Sequence, residues 1–530
     1  MVRSVPLSIT FPYHLSVVSA VPAWLEEHAS ASPQREALIT GPCRLSYSAL
    51  AELVRTAAER FGLAGIGQGI AVCLRLRDPL AFVVGYLGLL KLGAVVVPIN
   101  PALSGSAVTA MVNEAGACAL LVDDMACENT DSHADAGQRM HVGPVRIRVC
   151  PGTERPMDSD TESVAHAIDM ILFTSGTTGR PKGVMLSAST LEAVAKTGVE
   201  MQKLSSTSRV GLVSPLYHLY GLRDVDSAMR AGAALVVFQD LVFAGSVLKS
   251  IADEGVTHLS AVPSAMHVFA DRYGDLLAVC SDTLTCITLG TAPSPSSLLQ
   301  TLARLLPVTR VVLTYGLTEA SRVCYRDVTR PDDRFGSVGR PYPGVELCIE
   351  HEEGDAPEGP GQILIRTAMA MTGYWRNAET TRRVLRNDGW LVTPDYGRAD
   401  EDGFVYIHGR TDEIINCGGE KLSPEELEGV LTAHPGVASA AVVGCPDPEG
   451  RLGQVPRATV VRAKGREVDV TTLLRHCAEH LDSYKLPRSI AFSDTLPRTD
   501  LGKVDRGRVS AMLAHNDGTR DGAIQPDEDV

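Results

Sequence analysis

The chain has 530 residues, 45% of them hydrophobic, 21% charged and 5% aromatic, with 12 cysteines and a net charge of −14. That length calls for roughly two to four packed units, with cores built on Leu, Val and Ala because aromatics are scarce. The acidic balance excludes a broad phosphate-backbone binder, so no nucleic-acid partner is expected, though a local basic pocket is not ruled out.

Residues 1–20 hold one arginine and a broken apolar stretch, without the continuous apolar core of a signal peptide. The longest apolar run, 80–90, falls well short of the ~20 residues that span a bilayer. The cysteines form no C-x-x-C pair, and no His/Cys group has zinc-like spacing, so they read as buried or free thiols. A soluble cytoplasmic protein without membrane insertion is expected.

Residues 50–61 carry helical apolar spacing, 70–76 read as a strand, 80–90 as a buried helix and 94–98 as an apolar strand. Strand–helix–strand alternation implies a parallel sheet covered on both faces. Short β-rich runs at 210–213, 234–238, 258–262, 286–289 and 311–313 imply a second doubly wound sheet. From about Gly336 short strands at 345–349, 362–366 and 404–408 suggest a small β unit. A boundary is expected at 409/410. Beyond it Ser423-Pro424-Glu425-Glu426 opens a helix, with Ser at the N-cap and Pro at the first helical position. Strands follow at 438–443 and 458–461. The polar segment 515–530 reads as a disordered tail.

The segment Ile171-Leu-Phe-Thr-Ser-Gly-Thr-Thr-Gly-Arg-Pro-Lys-Gly183 runs from an apolar strand into glycines, hydroxyls and one lysine. Glycines let successive N–H groups turn inward, and such a nest binds anions. A phosphate loop follows, although it does not fit the G-x-x-x-x-G-K-[ST] pattern, and a Gly/Ser/Thr loop alone is also compatible with a turn.

This run resembles the signature of the acyl-adenylate-forming superfamily, which includes acyl- and aryl-CoA synthetases, nonribosomal-peptide adenylation domains and luciferase. Tyr315-Gly-Leu-Thr-Glu319, Asp395 with Gly397-Arg398, Gly409-Arg410-Thr-Asp412 and Pro497-Arg-Thr-Asp-Leu-Gly502-Lys503 resemble further motifs of that family, in matching order from about residue 20 to 510. The resemblance implies an α/β fold. A large N-terminal domain, 1–409, would hold two doubly wound sheets and a small β-barrel-like subdomain. A smaller mobile α+β domain, 410–514, would carry the catalytic lysine.

It also implies an AMP-forming acid–thiol ligase. A carboxylate attacks the α-phosphorus of ATP, pyrophosphate leaves, and the acyl group passes to a phosphopantetheine thiol. Cations and fixed donors should dominate such a transition state. By resemblance Lys503 bridges carboxylate and phosphate. Thr174, Ser175, Gly176, Thr177, Thr178, Gly179 and Lys182 hold the pyrophosphate portion. Thr318 binds the α-phosphate and Glu319 holds Mg2+. Tyr315, Gly316, Gly290, Thr291 and Ala292 flank the nucleotide, and Asp395 with Arg410 meets the ribose. Asp412 is the hinge, and Gly418 and Gly419 face the thiol tunnel. Pro394 stands where the family has Gly, and Leu289 where it has Ser.

The resemblance places the acyl site around His218, Tyr220, Asp224, Leu289, Gly316 and Arg322. A carboxylate there is costly unless it meets a cation. Asp224 therefore points to a substrate amine away from the α-carbon, as in a β-amino acid, or else to a pairing with Arg223 or Arg322. Asp226 and Arg230, four apart, read as a solvated helix face. The thiol acceptor is expected to be an external carrier protein, otherwise CoA. An oxidative enzyme of luciferase type and a silent paralogue are the competing classes. Retention of Lys503, Glu319 and Asp395 speaks against the second.

Overall fold

The computed structural model describes residues 19–123, 138–142, 145–151, 164–174, 181–238, 243–329, 334, 336–351, 359–411, 413–417, 420–448, 452–482, 485–499 and 503–516. Its first sheet has eight strands. Met170–Thr174, Val95–Pro98, Ala71–Arg75 and Ala119–Val122 run parallel at its centre. Hairpin partners extend it antiparallel at both edges. Ala71–Arg75, Val95–Pro98 and Ala119–Val122 are buried throughout and, Arg75 apart, are unbroken apolar runs, as a sheet covered on both faces requires. The apolar run expected at 80–90 is the helix Pro79–Lys91, capped by Asp78, whose carboxylate accepts the Leu80 N–H at 3.1 Å.

The second sheet has thirteen strands. Arg310–Leu317, Cys286–Leu289, His258–Ala261, Arg209–Leu212, Ala234–Val237 and Glu36–Thr40 lie side by side in parallel. Two features were not legible in the sequence. Glu36–Thr40 and Cys43–Ser46 leave the first region of the chain and close the far edge of this sheet. The small β unit beyond Gly336 is not separate, because Ser337–Pro341 pairs with Ala320–Asp327 on one side and Val405–Arg410 on the other.

Beyond the second sheet, three strands, Val437–Pro446, Gln454–Arg462 and Ser489–Phe492, carry the helices Pro424–Ala433, Val470–Ala478 and Arg506–Asn516 around their own apolar clusters. Ser423 occupies the N-cap position of Pro424–Ala433, but its hydroxyl donates to Glu425 Oε2 at 2.9 Å instead of capping the backbone. Among the described residues no helix is long and apolar enough to cross a membrane.

The helix Leu219–Ala231 is buried along most of its length although it carries Arg223, Asp224 and Asp226. The expectation of a solvated Asp226–Arg230 face is therefore corrected. Asp226 is 1% exposed and accepts the Tyr86 hydroxyl at 2.9 Å, while Arg230 turns to Glu192 and the face of Trp24. Helical spacing alone could not tell a wet face from one covered by Pro79–Lys91.

Burial pushes the Asp226 carboxyl up to about 8. Folding thus takes up a proton at neutral pH. The associated stability is complete below the unfolded carboxyl's ordinary value and is lost as pH rises towards 8, at about 1.4 kcal/mol per pH unit. Asp226→Asn, which can still accept from Tyr86, should flatten that slope. Denaturation midpoints of both proteins across this range are the check, and parallel profiles would refute the assignment.

Candidate functional site

The chemistry-bearing residues collect where the two sheets and the C-terminal strands meet. Arg310–Leu317 and Ala320–Asp327 form a hairpin with Thr318 and Glu319 as its two turn residues. Gly316 makes the tight approach possible, since a Cβ there would lie 2.1 Å from the Ser321 carbonyl oxygen. Tyr315, just before it, donates its hydroxyl to Asp395 Oδ2 at 2.5 Å. Asp395 lies in Leu391–Ala399 directly opposite Arg410.

Beside them, Glu319 Oε1 accepts the Tyr374 hydroxyl at 2.7 Å. The ammonium of Lys182 stands 5.6 Å from the Tyr374 ring centre, and Thr174 pairs with Lys182 across its own hairpin. Tyr374 was not anticipated; a lone aromatic carries no signal of its role until the strands are assembled. Ser175, Gly176, Thr177, Thr178 and Gly179 lie outside the described residues, as do Asp412, Gly418 and Gly419.

Lys503 reaches this cluster from the C-terminal part of the chain. Its ammonium feels Arg410, Asp395, Glu413 and Glu319, and although the side chain is exposed, the surrounding protein and Arg410 hold it below the ordinary lysine range. Burial pushes the Asp395 carboxyl up, while the Tyr315 hydroxyl, Arg410 and Lys503 pull it back. Three carboxylates, Asp395, Glu319 and Glu413, and three cations, Lys503, Arg410 and Lys182, thus gather here. That set suits a nucleotide with its counter-ion.

Pro394 causes no break in this site. It falls where the pairing of Gly361–Thr367 with Leu391–Ala399 shifts register, so its missing N–H is not owed to a ladder. Its carbonyl accepts both the N–H and the hydroxyl of Thr411, at 2.6 and 3.0 Å.

Arg506 was missed by sequence reasoning, although it stands three residues after Lys503 in a basic motif. It is half-buried among three carboxylates, with Glu413 at 2.8 Å, Glu425 at 3.0 Å and Glu428 also in contact. The loop before it is closed by Thr499 N–H to Lys503 O at 2.8 Å and Asp505 N–H to Pro497 O at 2.9 Å. Lys503 therefore sits on a loop pinned by one guanidinium.

The expected acyl residues divide. His218 is the N-cap of Leu219–Ala231, its ring tilted 4.6 Å from Tyr217. Tyr220 donates to the carbonyls of Ala261 and Thr288, at 3.3 and 3.2 Å. Leu289 must be reassigned. It points with Ile287 to the opposite face of Cys286–Leu289 and packs among Met266, Leu298 and Leu302, because successive strand residues alternate faces. The backbone beyond it does approach the pocket, and a Cβ on Gly290 would lie 2.8 Å from Tyr220. Thr291 next to it holds φ 73°, unusual for a β-branched residue and a strain of about 1–3 kcal/mol typical of ligand sites. Ala292 follows in the same bend.

Asp224 takes the internal pairing. Its Oδ1 accepts Gln202 Nε2 at 3.2 Å and faces Arg322 Nη2 at 3.4 Å, with both ionic side chains fully buried.

Two other features stand apart. A hollow of about 320 Å³ is lined by Gln202, His258, Cys286 and Arg310. It opens at the starts of the parallel strands, whereas open α/β sheets bind ligands at the other end. His476, Glu479 and His480 bring their ligand atoms within 4.8 Å of one another, a grouping at helical spacing that the expectation of no zinc-like cluster did not include. They sit at the end of Val470–Ala478, on none of the elements that carry Glu319, Asp395 or Arg410.

With this geometry in hand, comparison with known proteins is specific. Residues 25–375 match the family described as AMP-binding enzyme, and 426–503 match the AMP-binding enzyme C-terminal domain. The chain is 32% identical to 2-succinylbenzoate–CoA ligase of Bacillus licheniformis, across 92% of this chain and 99% of that protein. It is 31% identical to feruloyl-CoA synthase of an Amycolatopsis species, across 92% and 98%. Among solved structures, o-succinylbenzoate CoA synthetase of Bacillus subtilis with its acyl-adenylate intermediate aligns with a TM-score of 0.77 at 27% identity, covering 92% and 97%.

Arg506→Gln should strand three carboxylates, costing about 3 kcal/mol of stability, and slow ATP–pyrophosphate exchange by about 100-fold through a displaced Lys503. Arg506→Lys should recover part of both. Normal exchange in a folded Arg506→Gln protein would show that Arg506 does not position the lysine.

Proposed function

The chain belongs to the AMP-binding enzyme family, and from that premise we propose that it joins a small carboxylic acid to the thiol of coenzyme A through an acyl-adenylate. It is an AMP-forming ligase. The observation that carries the fuller reading is the convergence of Lys503 on Asp395, Arg410 and Glu319.

In the first step a carboxylate oxygen of the acid bonds to the α-phosphorus of ATP, and the bond from that phosphorus to the bridging oxygen breaks, so pyrophosphate leaves. Negative charge crowds the phosphorus, and Lys503 with Arg410 offsets it. Asp395, oriented by Tyr315, accepts the ribose hydroxyls, while Thr174, Lys182 and the glycine-rich loop between them hold the departing phosphates. Thr318 donates to the α-phosphate.

Glu319 suits a magnesium ion, a hard cation that takes carboxylate and phosphate oxygens. Tyr374 occupies one of its oxygens, and among the described residues no donor takes the other. The ion would neutralise phosphate charge. Tyr374 fixes the orientation of Glu319 towards it.

In the second step the thiol sulfur bonds to the acyl carbon, AMP leaves, and the thiol proton passes to solvent. The curated relatives named above are CoA ligases, which supports CoA over a carrier protein as acceptor. The β-amino acid reading loses its main support, because Asp224 already faces Arg322 and Gln202 inside the protein.

Lys503→Ala should lower ATP–pyrophosphate exchange by at least about 100-fold. The same variant, given a preformed acyl-adenylate and CoA, should still release AMP. Loss of both halves together would contradict the role given to Lys503. Acylation of a phosphopantetheinylated carrier in preference to CoA would overturn the acceptor.

A further inference from the structure

We infer that the acid activated by this enzyme carries a second carboxylate, received by Arg223 at the inner end of the acyl pocket. This rests on the ligase reading and names the substrate class of that same site.

Tyr220, Arg223 and Asp224 share one face of Leu219–Ala231, three and four residues apart. Tyr220 reaches the carboxyl ends of His258–Ala261 and Cys286–Leu289. The Arg223 guanidinium lies over the Tyr220 ring, 4.0 Å from its centre, and Nη1 donates to the Ser321 carbonyl at 3.3 Å. That carbonyl is the one Gly316 approaches. Arg223 therefore stands between the bend at Gly290 and the turn at Gly316, the two backbone segments that flank the expected nucleotide and acyl sites.

The charge there does not balance. Arg223 is 4% exposed, and Arg322 and Asp224 are 0% exposed. Arg322 faces the one carboxylate, and Gln202 shares it. Among the described residues Nε and Nη2 of Arg223, Nε and Nη1 of Arg322, and Oδ2 of Asp224 have no hydrogen-bond partner, so the free donors outnumber the one free carboxylate oxygen. Gly198 leaves the space in which Arg322 fits, for a Cβ there would come within 2.7 Å of its Nη2. The remaining acid on this helix, Asp226, is held by Tyr86.

A guanidinium does not shed its proton at physiological pH, so the surplus positive charge persists. Burial and the neighbouring Arg322 work against it, which is the direction of the Arg223 shift. A hydrocarbon acid would leave those N–H groups unpaired in a dry site. An amine would add a third cation. A carboxylate matches the guanidinium fork with two parallel hydrogen bonds and brings the cluster to neutrality.

The test compares matched pairs, each a dicarboxylic acid and its monomethyl ester, one pair aliphatic and one with an aromatic ring between the groups. CoA-dependent AMP formation gives kcat/KM. The wild-type enzyme should favour the diacid by about 100-fold or more in at least one pair, since a site built to pair with a polar group rejects the analogue lacking it. Arg223→Gln should abolish that preference chiefly by raising the diacid KM, with the ATP KM unchanged. Arg223→Lys should keep part of it.

Ester turnover equal to or above diacid turnover in wild type overturns the inference and leaves the ligase reading standing. So does a preference that survives in Arg223→Gln. Failure of every carboxylic acid to yield AMP and a thioester would instead defeat the ligase reading itself.

Discussion

A lysine that must meet a phosphate from a different part of the chain has to be held by something other than that phosphate. Here the holding group is Arg506. Its guanidinium satisfies Glu413, Glu425 and Glu428 at once and also donates to the Val442 carbonyl at 3.0 Å. Removing one member of such a network leaves charges without partners in a protein interior, which costs more than the network contributes when intact. The consequence is geometric. The backbone on either side of Lys503 is tied down, by Thr499 N–H to the Lys503 carbonyl and by Asp505 N–H to the Pro497 carbonyl, next to the Arg506 that makes these ion pairs. Asp395 is treated likewise on the other side of the cleft, where Tyr315 fixes one oxygen and the strand pairing fixes Arg410 opposite.

The acyl side is built on the same physics with a different balance. Around Lys503 the carboxylates and cations are close to matched. Around Arg223 and Arg322 they are not, and the helix that carries Arg223 has no water on most of its faces to make up the difference. A pocket wall of this kind selects by penalty, because a ligand that cannot pair with the guanidinium groups must bury them unsatisfied. The two regions touch through Gly316 and Ser321, so the proposed nucleotide site and the proposed acid-reading site share one hairpin.

Much of the nucleotide side was legible in the sequence, for a physical reason. A turn at Thr318 and Glu319 and an acid opposite Arg410 depend on backbone shape, and backbone shape leaves local marks such as glycines and fixed spacings. The acyl side left few. Leu289 was read as lining the pocket, but a strand sends alternate residues to opposite faces, and only the assembled sheet says which face is which. Asp226 and Arg230 have the spacing of a surface pair, yet Tyr86, some 140 positions away in sequence, covers Asp226. Asp224 was legible as a choice between an amine and an internal arginine, and only the partner strand carrying Arg322 decides it. Tyr374 acts on Glu319, and Arg506, though only three residues from Lys503, is held by carboxylates far upstream, so neither role shows until the fold brings these residues together.

The proposed half-reactions would place opposite demands on Lys503, which the first would need at the phosphate and the second would not. The distribution of contacts reconciles them. Arg506, Glu413, Glu425, Glu428 and Val442 all follow residue 412, the expected pivot, whereas Asp395, Arg410 and Glu319 precede it. A rotation at that point would leave the salt-bridge network whole and carry the lysine away with its support. The interactions broken would be those of the Lys503 ammonium with Asp395, Arg410 and Glu319, and the loss would be offset by relief of the desolvation and of the Arg410 repulsion that lower its proton affinity there. Among the described residues the ion pairs of Arg506 all lie on one side of the expected pivot, so a turn there would keep Lys503 with its support while parting it from Asp395, Arg410 and Glu319.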